Sequence, residues 1–103
     1  MSNNMGCYPS DEELVKITSW KVNSQVDFLE LMEYIREIWA YAGDGYWKRA
    51  GDIFTISTAG WSGNEDIITA LQENIPFWLL YWQQSRRGGH YVFGNFHDCL
   101  DLI

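Results

Sequence analysis

Two short segments carry the residue types from which a binding site could be built. The first is Gly60-Trp61-Ser62-Gly63-Asn64, running on into Glu65. It leads into a stretch of helical character, and the unpaired backbone N–H groups at a helix start favour anions. Its small residues let a ligand come close to the main chain. The second is Ser85-Arg86-Arg87-Gly88-Gly89-His90. Arginines at a turn meet phosphate or carboxylate with a planar two-pronged fork, and His90 can add a donor. Folded together, the segments would form an anion pocket walled by Trp61 and Tyr91. The candidate ligand-binding residues are therefore Trp61, Ser62, Gly63, Asn64, Arg86, Arg87 and His90. A capped helix and a solvated arginine hairpin tip account for the same residues without a ligand.

Catalytic constellations are weaker. Ser62 stands in a setting like a nucleophile elbow, but that motif needs Gly where Asn64 is found. A triad would need His90 or His97 with an acid such as Asp98. Ser62 and Glu65 have capping-box spacing, which explains the serine without chemistry. His97-Asp98-Cys99 puts an imidazole near a thiol only in sequence, because neighbouring side chains of an extended chain point apart. The acidic groups Asp11-Glu12-Glu13 and Glu65-Asp66 fall where helix starts accommodate negative charge. The chain has no glycine-rich phosphate loop and no His/Cys cluster at metal spacing. The expectation is a protein without catalytic residues, metal or cofactor.

The elements that must position these residues are legible in patches. Ser10 with Glu13 reads as a capping box opening a first helix that ends near Trp20. Phe28, Leu31, Met32, Ile35, Ile38 and Trp39 recur at helical spacing and define a second helix. That helix starts near Ser24 or Asp27 and is expected to end at Gly43-Asp44-Gly45. Tyr46–Arg49 and Ile53–Ser57 read as a hairpin around Ala50-Gly51-Asp52. A third helix follows Ser62 to about Asn74, with Ile67, Ile68 and Leu71 inward, and Ile75-Pro76 stops it. Phe77–Gln84 is apolar on both alternating faces and reads as a central strand, although a buried helix has the same signature. His90–Phe93 is the return strand. The fold class is α+β, a single domain over residues 1–103 with residues 1–8 loose. It has about three helices and a mostly antiparallel sheet of three or four strands, in the order α-α-β-β-α-β-β. The third helix could instead be a parallel crossover.

Composition narrows the function classes. The net charge is −7, which opposes direct nucleic-acid binding and suits solubility or a basic partner. Six Trp, six Tyr and five Phe are more aromatic rings than so small a domain can fully bury. Some must reach the surface, as partly buried rings or as a binding surface. Cys7 and Cys99 lie near opposite ends, and one terminal bridge or two free thiols are both open. Residues 1–6 lack the basic and apolar regions of a signal peptide, and Ile75–Trp82 is too short to span a bilayer. A cytoplasmic protein is expected.

The segments Gly-Trp-Ser-Gly-Asn-Glu at 60–65 and Ser-Arg-Arg-Gly-Gly-His-Tyr-Val-Phe at 85–93, with Phe77, Trp78 and Trp82 between them, resemble a family of small uncharacterised phage and prophage proteins. The resemblance covers roughly the C-terminal half. It implies origin, a phage-encoded accessory protein, and carries no activity with it. The leading expectation is a non-catalytic factor that binds a host or defence-system protein through an aromatic, acidic surface. The other is a binder of a small anionic ligand or nucleotide at the helix start and arginine turn. In that reading Trp61 would stack on a ring of the ligand.

Overall fold

Helix formation starts where the sequence supplies a cap. In the computed structural model, which describes residues 8–40 and 42–94, Ser10 and Glu13 form the expected reciprocal box. The Glu13 N–H donates to Ser10 Oγ at 3.1 Å and the Ser10 N–H donates to Glu13 Oε1 at 2.8 Å. This opens α1 (Asp11–Ser19), capped at its end by Trp20. Ser24 caps α2 (Gln25–Ile38), and Asp27 accepts from the Asn23 N–H. The α2 stripe is buried throughout: Phe28, Leu31, Met32, Ile35 and Ile38.

Helix α2 ends five residues before the glycine signal at Gly43. Its C-cap is Trp39, and a 3-10 turn follows at Ala42–Asp44. Tertiary partners take the chain there. The Trp39 indole donates to Ser57 O at 3.1 Å, and the main chain of Ala40 is bound by a side chain from a later helix. A glycine permits a helix to end, but these bonds end it earlier.

Strands β1 (Trp47–Ala50) and β2 (Ile53–Ser57) form the expected hairpin. Arg49 braces its turn through Gly51 O and Asp52. Helix α3 (Ser62–Glu73) follows. Helix α4 (Ile75–Tyr81), β3 (Trp82–Arg86) and β4 (His90–Phe93) complete the described order. All neighbouring strands are antiparallel, in the spatial order β1-β2-β4-β3. No parallel crossover exists among them. The α+β class and the order of elements stand, with one helix more than expected.

That extra helix corrects the reading of Phe77–Gln84 as a central strand. The segment is helical to Tyr81, and what remains becomes β3, an edge strand. Phe77 and Tyr81 are the buried pair, one helical turn apart. Pro76 does not merely stop α3. It lies in the first turn of α4, where a missing N–H costs nothing. Asn74 joins the two helices. Its N–H caps α3 on Ala70 and Leu71, its Oδ1 accepts from the Phe77 N–H, and its Nδ2 donates to Ile17 O and Trp20 O.

The helices cover one sheet face. Phe28 of α2 stacks on Tyr81 of α4 with centroids 4.1 Å apart and meets Phe54 of β2 edge-on at 5.6 Å. Phe77 packs on Phe93 of β4 at 5.2 Å. Trp39 and Trp47 close one end of this core at 5.8 Å. The other face, carrying Thr55, Gln84, Arg86 and His90, is exposed. The question of a Cys7–Cys99 bridge and the His97-Asp98-Cys99 cluster lie outside the described residues.

Candidate functional site

The chain enters α3 through a tight turn. Ala59 and Gly60 both take left-handed backbone angles, φ 57° and 71°, and the Trp61 N–H donates to Thr58 O at 2.9 Å. This places Trp61 at the N-cap, without a side-chain cap bond, and Ser62 one residue inside the helix. The Ser62/Glu65 capping box is therefore not formed. Ser62 Oγ instead meets the Tyr8 hydroxyl at 3.3 Å.

The arginine turn does reach this loop. The Thr58 N–H donates to Gly89 O at 2.9 Å. Gly89 sits so close that any side chain there would strike Thr58 Oγ1. The expected site residues nonetheless divide into two groups. On the α3 side, Asn64 is buried. Its Oδ1 accepts from the Ala40 N–H at 2.9 Å, and its Nδ2 donates to Ala40 O at 3.1 Å and Thr58 O at 3.4 Å. Gly63 is also buried, and a Cβ there would come within 2.6 Å of Trp61 Nε1. Trp61 stacks on Tyr8 at 4.9 Å, and its buried Nε1 has no acceptor among the described residues. This group binds the protein to itself.

The second group faces water. Strand alternation puts His90 and Val92 on the open face and turns Tyr91 and Phe93 to the helices. Tyr91 accordingly packs against Trp78 and Phe93 rather than beside His90. His90 Nδ1 is hydrogen-bonded to Ser57 Oγ. Arg86, opposite His90 in the ladder, donates from Nε to Gln84 Oε1 at 3.4 Å. Thr55, Gln84, Arg86, His90 and Val92 line a hollow of about 460 Å³. Arg87 is exposed in the turn beyond it.

A third feature comes from α4, the helix that stands where the hydrophobic pattern predicts a strand. The outward side of α4 shows Ile75 at 57%, Leu79 at 74% and Leu80 at 52% exposure, and Trp82 follows at 38%. Trp78 stacks on Trp82 at 5.8 Å and roots the patch on Phe93. Ile75, Trp78, Leu79 and Trp82 have helical spacing, and that was the signal available in the sequence. The patch adjoins β3, whose outer edge has no strand partner among the described residues. A bulge between Trp82 and Gln84 interrupts that edge where it meets the helix.

Two tyrosines depart from ordinary titration. Burial holds the Tyr34 hydroxyl above its usual range, with Glu13 and Glu37 adding to the rise. Burial does the same for Tyr81, assisted by Asp27. Neither lies in the hollow. Among the described residues no group of acidic, His or Cys side chains could hold a metal ion, and no helix is long and apolar enough to cross a membrane.

No protein-family model matches the chain, and no solved structure matches it. Over 60 residues it is 35% identical to a glucose-1-phosphate adenylyltransferase of Acetivibrio thermocellus, a stretch of 55% of this chain and 13% of that protein. The likeness is to a small part of a much longer protein.

Proposed function

We propose that this chain is a non-catalytic binding protein that docks a protein partner through the outward face of α4 and the start of β3. The single observation that carries the reading is the exposed row Ile75, Leu79, Leu80 and Trp82. Burying a large apolar side chain contributes roughly 1.5–3 kcal/mol, so this row offers more than any other described part of the surface. Its helical spacing suits a partner with an apolar groove. The net charge of −7, with Glu73 exposed just before α4, favours a groove rimmed by Lys and Arg and speeds encounter with it. The phage resemblance adds a setting, an accessory factor acting on a host or defence-system protein in the cytoplasm.

The test compares the wild type with Leu79→Asp as baits in host extract. Val26→Asp, a charge placed on the exposed side of α2, is the control. A partner held by the wild type and by Val26→Asp should be lost, at least tenfold, by Leu79→Asp. Equal retention of every captured protein by all three baits would end the reading. Concentration-dependent dimerisation abolished by Leu79→Asp would replace the foreign partner with a second copy of the chain.

A further inference from the structure

The open sheet face has a charge opposite to that of the molecule. The chain has fourteen Asp and Glu residues, yet none lies in any of the four strands, whose open face carries Lys48, Arg86 and His90. Arg49, opposite Phe54, is on the helix side and pairs with Glu33 at 3.6 Å and Asp52 at 3.3 Å. Lys48, Arg86 and Arg87 form no ion pair with another described residue. Asp52, the acid nearest in sequence to a strand on this sheet, follows Ala50 and Gly51, at the end of the ladder away from His90.

The ladder sets these cations in order. Ser57, His90 and Arg86 stand abreast on three adjacent strands, and Thr55, Val92 and Gln84 form the next rank, with Lys48 beyond Thr55. Adjacent strands lie about 4.8 Å apart, so Arg86 and His90 are within reach of one small ligand. The Ser57 bond occupies His90 Nδ1 and leaves Nε2 directed at Gly88. A Cβ on Gly88 would lie 3.2 Å from that nitrogen, and its φ of +87° already favours glycine. Glycine at 88 leaves room for the imidazole, and His90 is exposed. Gln84 holds Arg86 through Nε, which leaves the two terminal nitrogens of the guanidinium for an anion.

We infer that the hollow bounded by Thr55, Gln84, Arg86 and His90 binds the phosphate group of a small phosphomonoester. The fork of Arg86 matches two phosphate oxygens, His90 Nε2 and the Thr55 hydroxyl supply further contacts, and Lys48 adds charge at the rim. The volume of about 460 Å³ lies within the range of small-molecule sites. A long polyanion fits poorly. The open strand positions have no aromatic ring on which bases could stack, since Trp47, Phe54, Tyr91 and Phe93 turn to the helices and Trp82, opposite Phe93, stacks on Trp78 of α4. The net charge of −7 would also repel a long strand. The site belongs to the sheet and not to the start of α3. It does not depend on the α4 reading, because the two faces share no residue.

The experiment is amide NMR titration with inorganic phosphate, with a hexose monophosphate and with the unphosphorylated hexose. Shifts should centre on Thr55, Ser57, Gln84 and His90 with both phosphates and be absent with the hexose. Tighter binding of the monophosphate assigns a metabolite, and equal binding assigns free phosphate. Arg86→Ala should weaken binding about tenfold or more, and Arg86→Lys should recover only part of it, because the fork is lost while the charge stays. Arg36→Ala, which removes a charge on α2, should leave affinity unchanged. Shifts that fall elsewhere, or a loss as large in Arg36→Ala as in Arg86→Ala, would overturn the assignment.

Discussion

At the scale of single residues, two asparagines do what the chain's composition does not advertise. Asn64 binds both the N–H and the C=O of Ala40 and so fixes where α2 ends. Asn74 serves as the last cap of one helix and the first of the next, while holding the end of α1. A buried amide removed from such a position leaves its partners unpaired, at about 1–3 kcal/mol each. Asn64→Ala is therefore expected to cost about 2–4 kcal/mol. Urea unfolding would show this as a lower midpoint with an unchanged slope. A loss below about 0.5 kcal/mol, the range of ordinary surface changes, would mean that Ala40 finds other partners. The sequence placed Asn64 in a candidate ligand site because its type suits either role. Only its distance to Ala40, 24 positions away, distinguishes them.

At the scale of elements, local chemistry succeeded where it was self-contained. The α1 box involves residues three apart, and nothing distant competes with it. Ser10→Ala should cost about 1 kcal/mol, read as a small fall in thermal midpoint. An equal effect of Ser62→Ala would contradict the different roles of the two serines, since Ser62 caps nothing. Local chemistry failed where two solutions bury the same residues. Phe77 and Tyr81 face the core from a helix, but the same residues also alternate as in a strand. Asn74 Oδ1, accepting from the Phe77 N–H, and Pro76 in the first turn favour the helix. Hydrophobicity alone registers neither. A central strand has no outward side, so the exposed row exists only because the segment is helical.

At the scale of the whole molecule, charge is segregated. Carboxylates crowd the helices, and the sheet face is cationic. The two proposed surfaces should therefore respond to different changes, and combining Leu79→Asp with Arg86→Ala should show independent losses. A further expectation concerns alkaline stability. Tyr34 and Tyr81 titrate above the usual tyrosine value in the folded chain, which is about 10 in the unfolded one. Above that pH the unfolded state releases the protons first, so it binds fewer of them than the folded state. Stability is then fully present below about pH 10 and falls as pH rises through the folded values. Tyr34→Phe should flatten part of that fall, measured by urea unfolding across the alkaline range. A profile unchanged by the substitution would remove Tyr34 from the account.

The sequence by itself determined the class of fold, the order of most elements, the first cap, the α2 stripe and the β1–β2 hairpin. Each depends on residues a few positions apart, whose spacing is set by helix and strand geometry. It also required that some aromatic rings reach the surface, because a chain of this size cannot enclose them all. Tertiary structure alone decided which rings those are, where α2 stops and on which side of the sheet each candidate residue lies. It joined the arginine turn to the loop before α3 through Thr58 and Gly89, and at the same step withdrew Asn64 and Gly63 into the interior. Contacts between residues far apart in the chain depend on how whole layers pack, and no local spacing records that.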